Sequence, residues 1–101
     1  MADRAWKNVY ALSDEQLTLL DEAEAKMEMH DLSASERLLK QLLEADPNCI
    51  PALSNMGHLQ GKYFSEFELA VEFYEKVLKL EPDNAWARDE RRRYQRYLTY
   101  D

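Results

Sequence analysis

Residues 34–49 read ASERLLKQLLEADPNC, and residues 69–84 read LAVEFYEKVLKLEPDN. Thirty-five positions apart, both place a small residue first or second and bulky apolar residues every three or four. Each then closes on an acid and a proline with asparagine close by. Apolar residues at that spacing line one face of a helix, and a proline cannot continue it. A short chain that repeats such a pattern in phase is built from two copies of one helical unit.

The spacing of the small residues fixes the register. Ala23 and Gly57 are 34 positions apart, whereas Ser35 and Ala70, Leu42 and Val77, and Pro47 and Pro82 are each 35 apart. The period is therefore 34, with one extra residue in the second copy between Gly57 and Glu66. Turns tolerate insertions, so the spacing predicts a turn within 61–65, where Gly61 sits.

Each copy divides into two helices. Ser13, with Gln16 three residues on and Leu12 and Leu17 as a staple, marks a helix start, with the helix running from about Asp14 to Met29. Ser33 with Glu36 forms a second capping box, opening a helix that stops before Pro47. The next helix opens after Asn48 with Pro51 in its first turn, where the missing N–H costs nothing. Phe64-Ser65-Glu66-Phe67-Glu68-Leu69 repeats the box-and-staple pattern for a fourth helix, closed by Pro82. Asp83 or Asn84 caps a fifth, from about Ala85 to Tyr97. Small residues at Ala23, Ser35, Gly57 and Ala70 let helix axes approach closely. Bulky neighbours such as Leu39, Leu42, Met56, Tyr74 and Val77 interlock around them.

Composition narrows the function. At 101 residues the chain is one domain, and Leu, Ala, Glu and Lys predominate over two glycines and three prolines. No apolar run approaches a membrane span or a signal peptide, and the single Cys49 fits a reducing compartment, so a cytoplasmic location is expected. The net charge of −7 is uneven: residues 1–83 carry −9 and residues 84–101 carry +2. An acidic body argues against general nucleic-acid binding. Ser13, Ser33 and Ser65 are accounted for as caps, and two separated glycines make no phosphate loop. His30, His58 and Cys49 lack the spacing of a metal site. Neither an enzyme nor a cofactor is expected.

A 34-residue helix–turn–helix with these marks resembles the tetratricopeptide repeat, W-x2-L-G-x2-Y…A-x3-F…P. The second copy offers Leu53, Met56 and Gly57, then Ala70, Tyr74 and Pro82. The first offers Leu19, Ala23, Leu32, Ser35, Leu39 and Pro47, with Glu22 where an apolar residue is usual. The resemblance covers roughly residues 16–84. It implies an all-α fold, an α-solenoid of antiparallel helix pairs. Repeat 1 would span about 14–47, repeat 2 about 49–82, and a capping helix about 84–98, all within one domain of residues 13–101. Residues 1–12 form an N-terminal segment, in which Trp6, Val9 and Tyr10 share a face; docking in cis is expected for it.

In that family the first helices of each pair line a concave groove that holds partner peptides. The implied groove residues are Leu20, Glu24 and Met27 on the first helix. Asn55, His58 and Lys62 follow on the third, and Arg88 and Arg92 on the fifth. Asn55 and the arginine pair resemble parts of the family's carboxylate clamp, but the first helix has no Lys–Asn pair, which argues against binding of chaperone tails. Trp86, Ala87, Tyr94, Tyr97 and Leu98 form a stripe expected to pack on the fourth helix. The function implied is a protein–protein interaction module, adaptor or chaperone-like, taking a peptide or helix of a partner. The alternatives are an assembly subunit joined through its terminal helices, as a homo-oligomer or within a larger complex, and weak RNA binding through the arginine-rich helix.

Overall fold

The Ser13 hydroxyl accepts a hydrogen bond from the Gln16 amide at 3.1 Å, and the Gln16 side chain accepts one from the Ser13 amide at 2.8 Å. This capping box opens α1 (Asp14–Glu28) in a computed structural model that describes residues 10–99. The other helices are α2 (Leu32–Ala45), α3 (Ile50–His58), α4 (Phe67–Leu80) and α5 (Ala85–Thr99). No strand occurs among the described residues, and none of these helices is long and apolar enough to cross a membrane. The segment around Trp6 lies outside the described residues, Tyr10 excepted, as does Tyr100.

The backbone repeats itself as the sequence does. His30 and Ser65, 35 positions apart, both take left-handed φ values, 62° and 56°. The next residues, Asp31 and Glu66, match closely (φ −87°, ψ 72° and φ −90°, ψ 76°). So do Asp46 and Glu81 after the second helix of each copy (φ −143°, ψ 88° and φ −135°, ψ 84°). At the first turn the His30 amide donates to the Met27 carbonyl and the Asp31 amide to the Lys26 carbonyl, a Schellman closure of α1. Because that closure leads straight into α2, Asp31 takes the cap position. The expected Ser33–Glu36 box does not form: no side chain caps α2, and Glu36 instead accepts from Gln60 Nε2 at 2.8 Å. The Ser65 box fails for the same reason, since Ser65 is the left-handed residue and Glu66 caps nothing through its side chain.

The extra residue of the second copy is not in a turn. Helix α3 passes without a break into a π-helical stretch, Leu59–Tyr63, so residues 61–63 are helical. The turn proper is Phe64–Glu66, three residues long like Met29–Asp31. The Phe64 amide bonds five residues back to Leu59, and Glu66 bonds six back to Gln60. A π turn is an α-helix with one residue inserted, and it has room for the insertion here because tertiary contacts hold it. Gln60 is buried and tied to Glu36, and Gly61 lies against the Tyr94 ring.

Helices adjacent in the chain pack together, with α4 and α5, α1 and α2, and α3 and α4 in the closest association. Gln16 at the start of α1 donates to Asp46 just beyond α2, while the Ser35 hydroxyl donates to the Ala23 carbonyl at 2.8 Å near the turn. One core cluster gathers Leu20, Ala23, Met27, Leu39, Leu42, Met56 and Leu59; a second gathers Leu53, Ala70, Tyr74, Val77, Ala87 and Tyr94. Ala23, Ser35 and Ala70 are fully buried, as close approach of the axes requires. Both glycines serve the second cluster. A Cβ on Gly57 would stand 2.7 Å from the Tyr74 ring, and one on Gly61 would stand 2.4 Å from the Tyr94 ring. The two tyrosine rings are nearly parallel, 6.3 Å apart, so one Gly-x3-Gly face receives both. Asn84 caps α5 by accepting from the Ala87 amide at 2.9 Å.

Candidate binding groove

Helices α1, α3 and α5 turn one face each toward a run of three hollows. The first, about 250 Å³, is lined by Tyr10, Leu20, Glu24, Ile50, Pro51 and Ser54. The second, also about 250 Å³, shares Glu24 and adds Met27, Glu28, Asn55, His58 and Tyr63. The third, about 480 Å³, shares His58 and lies between the π turn and α5, against Lys62, Phe67, Trp86, Glu90, Arg93, Tyr94 and Tyr97. Shared residues join the hollows end to end as a trough.

Six of the eight residues singled out in the sequence line this trough, though not all in the expected manner. Leu20 and Met27 line it as buried core residues. Glu24 and Asn55 meet across it, the Asn55 amide donating to Glu24 Oε2 at 3.0 Å while also bonding the Pro51 carbonyl. Lys62 is exposed, its ammonium 5.9 Å from the Tyr63 ring centre, and Tyr63 stands edge-on to both His30 and His58.

Arg88 and Arg92 stand outside the hollows. Both are exposed, and Arg88 lies 3.7 Å from Asp89. At about 100° per residue, the buried pair Ala87 and Tyr94 defines the core side of α5. Trp86, Glu90, Arg93 and Tyr97 lie on one flank of that stripe, and Arg88 and Arg92 lie on the other. The side chains facing α3 are therefore Trp86, Glu90, Arg93 and Tyr97. Trp86 and Tyr97 pack on α4 as expected, but only with part of each ring, leaving them 47% and 46% exposed. Trp86 meets Tyr74 edge-on at 5.4 Å, and Tyr97 lies 5.0 Å from Phe67, each leaving surface toward the hollow. Their spacing of four, three and four residues was the sequence signal for this face.

Burial pushes the His58 imidazole below its ordinary value, Lys62 pushes it the same way, and Glu90 opposes both. A depressed histidine gives a definite sign. Well above pH 6.5 His58 is neutral in folded and unfolded chains alike; as pH falls through 6.5 the unfolded chain takes up the proton first. Stability therefore falls on acidification across that window. We expect His58→Gln to flatten the thermal midpoint between about pH 7 and 5. A midpoint that falls equally in the variant would mean that the imidazole is not held in this desolvated position.

Burial also raises the Tyr10 phenol, whose hydroxyl donates to Glu81 Oε1 at 3.0 Å. That bond ties the chain entering α1 to the turn between α4 and α5, across 71 positions of sequence. Tyr10 also lines the first hollow.

No family model matches this chain, and comparison with curated proteins gives no match.

Proposed function

We propose that this chain is a small tetratricopeptide-type module, a solenoid of two antiparallel helix pairs and a capping helix, that binds a segment of a partner protein along the trough. The observation that carries it is the pair of half-exposed aromatics, Trp86 and Tyr97, lining a hollow continuous with two others on α1 and α3. Large aromatics facing a concavity are the usual anchors of protein recognition. The repeated backbone geometry at His30 and Ser65, and at Asp46 and Glu81, supports the solenoid. The polar outer flank of α5, with Arg88 and Arg92, supports its role as a cap, because a further helix would find no apolar surface there. The module would work in the cytoplasm as an adaptor.

The test begins with selection of displayed random 12-residue peptides on the full chain, followed by amide-shift mapping of the tightest binder on labelled protein. Shifts should concentrate at Glu24, Asn55, His58, Lys62 and Trp86. Trp86→Ala combined with Tyr97→Ala should weaken that peptide at least tenfold, about 1.4 kcal/mol or more, whereas Arg88→Ala with Arg92→Ala should leave it unchanged. Shifts confined to exposed residues of α2 and α4, or to the arginine flank, would move the interface off the trough. The exposed Leu69 and Leu80 on α4 make self-association the natural competing result, and light scattering would detect it.

A further inference from the structure

The third hollow carries an unusual set of polar groups for an aromatic-walled pocket. Glu90 lines it with a side chain only 13% exposed. Its charge partner Arg93 stands 3.9 Å away, too far for a strong hydrogen bond, and is itself 56% exposed. A shielded carboxylate lining the hollow is a group that a ligand's donors would satisfy.

We propose that this hollow is an anchor pocket for an arginine side chain of the bound segment. The proposal rests on the groove reading and names the chemistry of its partner. A guanidinium is planar and offers paired donors to a carboxylate, here Glu90, while stacking on exposed aromatic faces, here Trp86 and Tyr97. Lys62 and Arg93 also line the hollow and oppose a cation. Both are exposed, so solvent screens them more than it screens Glu90. His58 adds no positive charge at neutral pH, because burial holds it below its ordinary value. Along the trough the acids Glu24 and Glu28 continue the preference, and the chain's net charge of −7 draws a cationic segment from a distance.

Three capped pentapeptides test this: acetyl-Ala-Leu-Arg-Leu-Ala-amide and its counterparts with Gln or Glu at the centre, titrated into labelled full-length chain. The arginine peptide should shift Gly61 and the Trp86 indole and bind at least fivefold more tightly than the glutamine peptide. That advantage should disappear in Glu90→Gln and persist in Arg92→Ala, which lies outside the hollow. The wild-type series alone decides the sign if Glu90→Gln proves unstable. Tighter binding of the glutamate peptide, or an arginine preference that survives Glu90→Gln, would overturn the pocket's assignment while leaving the groove in place. If none of the three peptides moves any α3 or α5 resonance, the groove itself falls.

Discussion

Gly57→Leu should lower the stability of this protein by about 3 kcal/mol, at the upper end of what overpacking costs. The second helix pair meets where Gly57 faces the Tyr74 ring. A Cβ there would approach three ring atoms at 2.7, 2.8 and 3.1 Å, closer than carbon atoms in van der Waals contact can stand. The ring cannot step aside cheaply. It is fully buried, stacked parallel to Tyr94 and held edge-on by Trp86. The first copy shows the alternative solution: Ala23 stands where Gly57 does, and Leu39 stands where Tyr74 does. Leucine leaves space for a methyl; tyrosine needs a hydrogen. Even Gly57→Ala should therefore destabilise, although alanine is favoured over glycine in a helix by about 1 kcal/mol. Adding Gly57→Ala to a Tyr74→Leu background should be neutral or stabilising. Chemical denaturation of the four-member cycle should thus give a coupling of about 1–2 kcal/mol. If Gly57→Ala alone is stabilising by its full helix propensity, Tyr74 does not pack on Gly57 and the register of α4 against α3 is wrong.

Much of the architecture was legible because its signals are local. Ser13 and Gln16 lie three residues apart, and that spacing alone suffices for the capping box that opens α1. Pro47 and Pro82 stop helices for reasons internal to the proline ring, and α2 and α4 end two residues before them. Two expected capping boxes do not form, for an equally local cause. A serine followed by an acid three residues on fits a cap, but only if the preceding turn leaves the serine at the helix start. The left-handed residues His30 and Ser65 shift both starts.

What escaped the sequence depends on contacts distant along the chain. The offset between 34 and 35 located the extra residue between Gly57 and Glu66, and both a longer turn and a π turn satisfy that arithmetic. The choice rests on Glu36 reaching Gln60 and on Tyr94 filling the space over Gly61, residues 24 and 33 positions away. The groove face of α5 escaped for a similar reason. Ala87 and Tyr94 identify the buried stripe by periodicity, but nothing local says which flank of that stripe turns toward α3. The resemblance to the clamp puts the arginines on the inner flank. The aromatics Trp86 and Tyr97 occupy it instead, with Glu90 and Arg93 between them.

The same long-range dependence makes α5 the element whose loss should cost most. Truncation after Pro82 should abolish cooperative thermal unfolding and leave a species that binds hydrophobic dye, because α5 covers the side of the second core cluster that α3 leaves open. Ala87 and Tyr94 are two of that cluster's members, and both belong to α5. Tyr94 alone fills the space over Gly61 and contacts Phe67, Tyr74 and Tyr97 at centroid separations of 5.8, 6.3 and 5.8 Å. Removing such a buried ring costs about 3–5 kcal/mol. A domain of this size has about 5–15 kcal/mol in total, so Tyr94→Ala should by itself bring the chain near its folding threshold. The surface uncovered by truncation would be Ala70, Tyr74 and Val77; Leu69 is already 40% exposed and loses little. The milder substitution separates packing from mere chain length: Tyr94→Phe keeps the ring and should stay within about 1 kcal/mol of the parent. Circular dichroism melts of the three proteins decide the matter. A truncated chain that still melts sharply as a monomer would show that α1 to α4 form a complete core and that α5 is an appended arm, leaving the hollow beside Trp86 without a fixed wall.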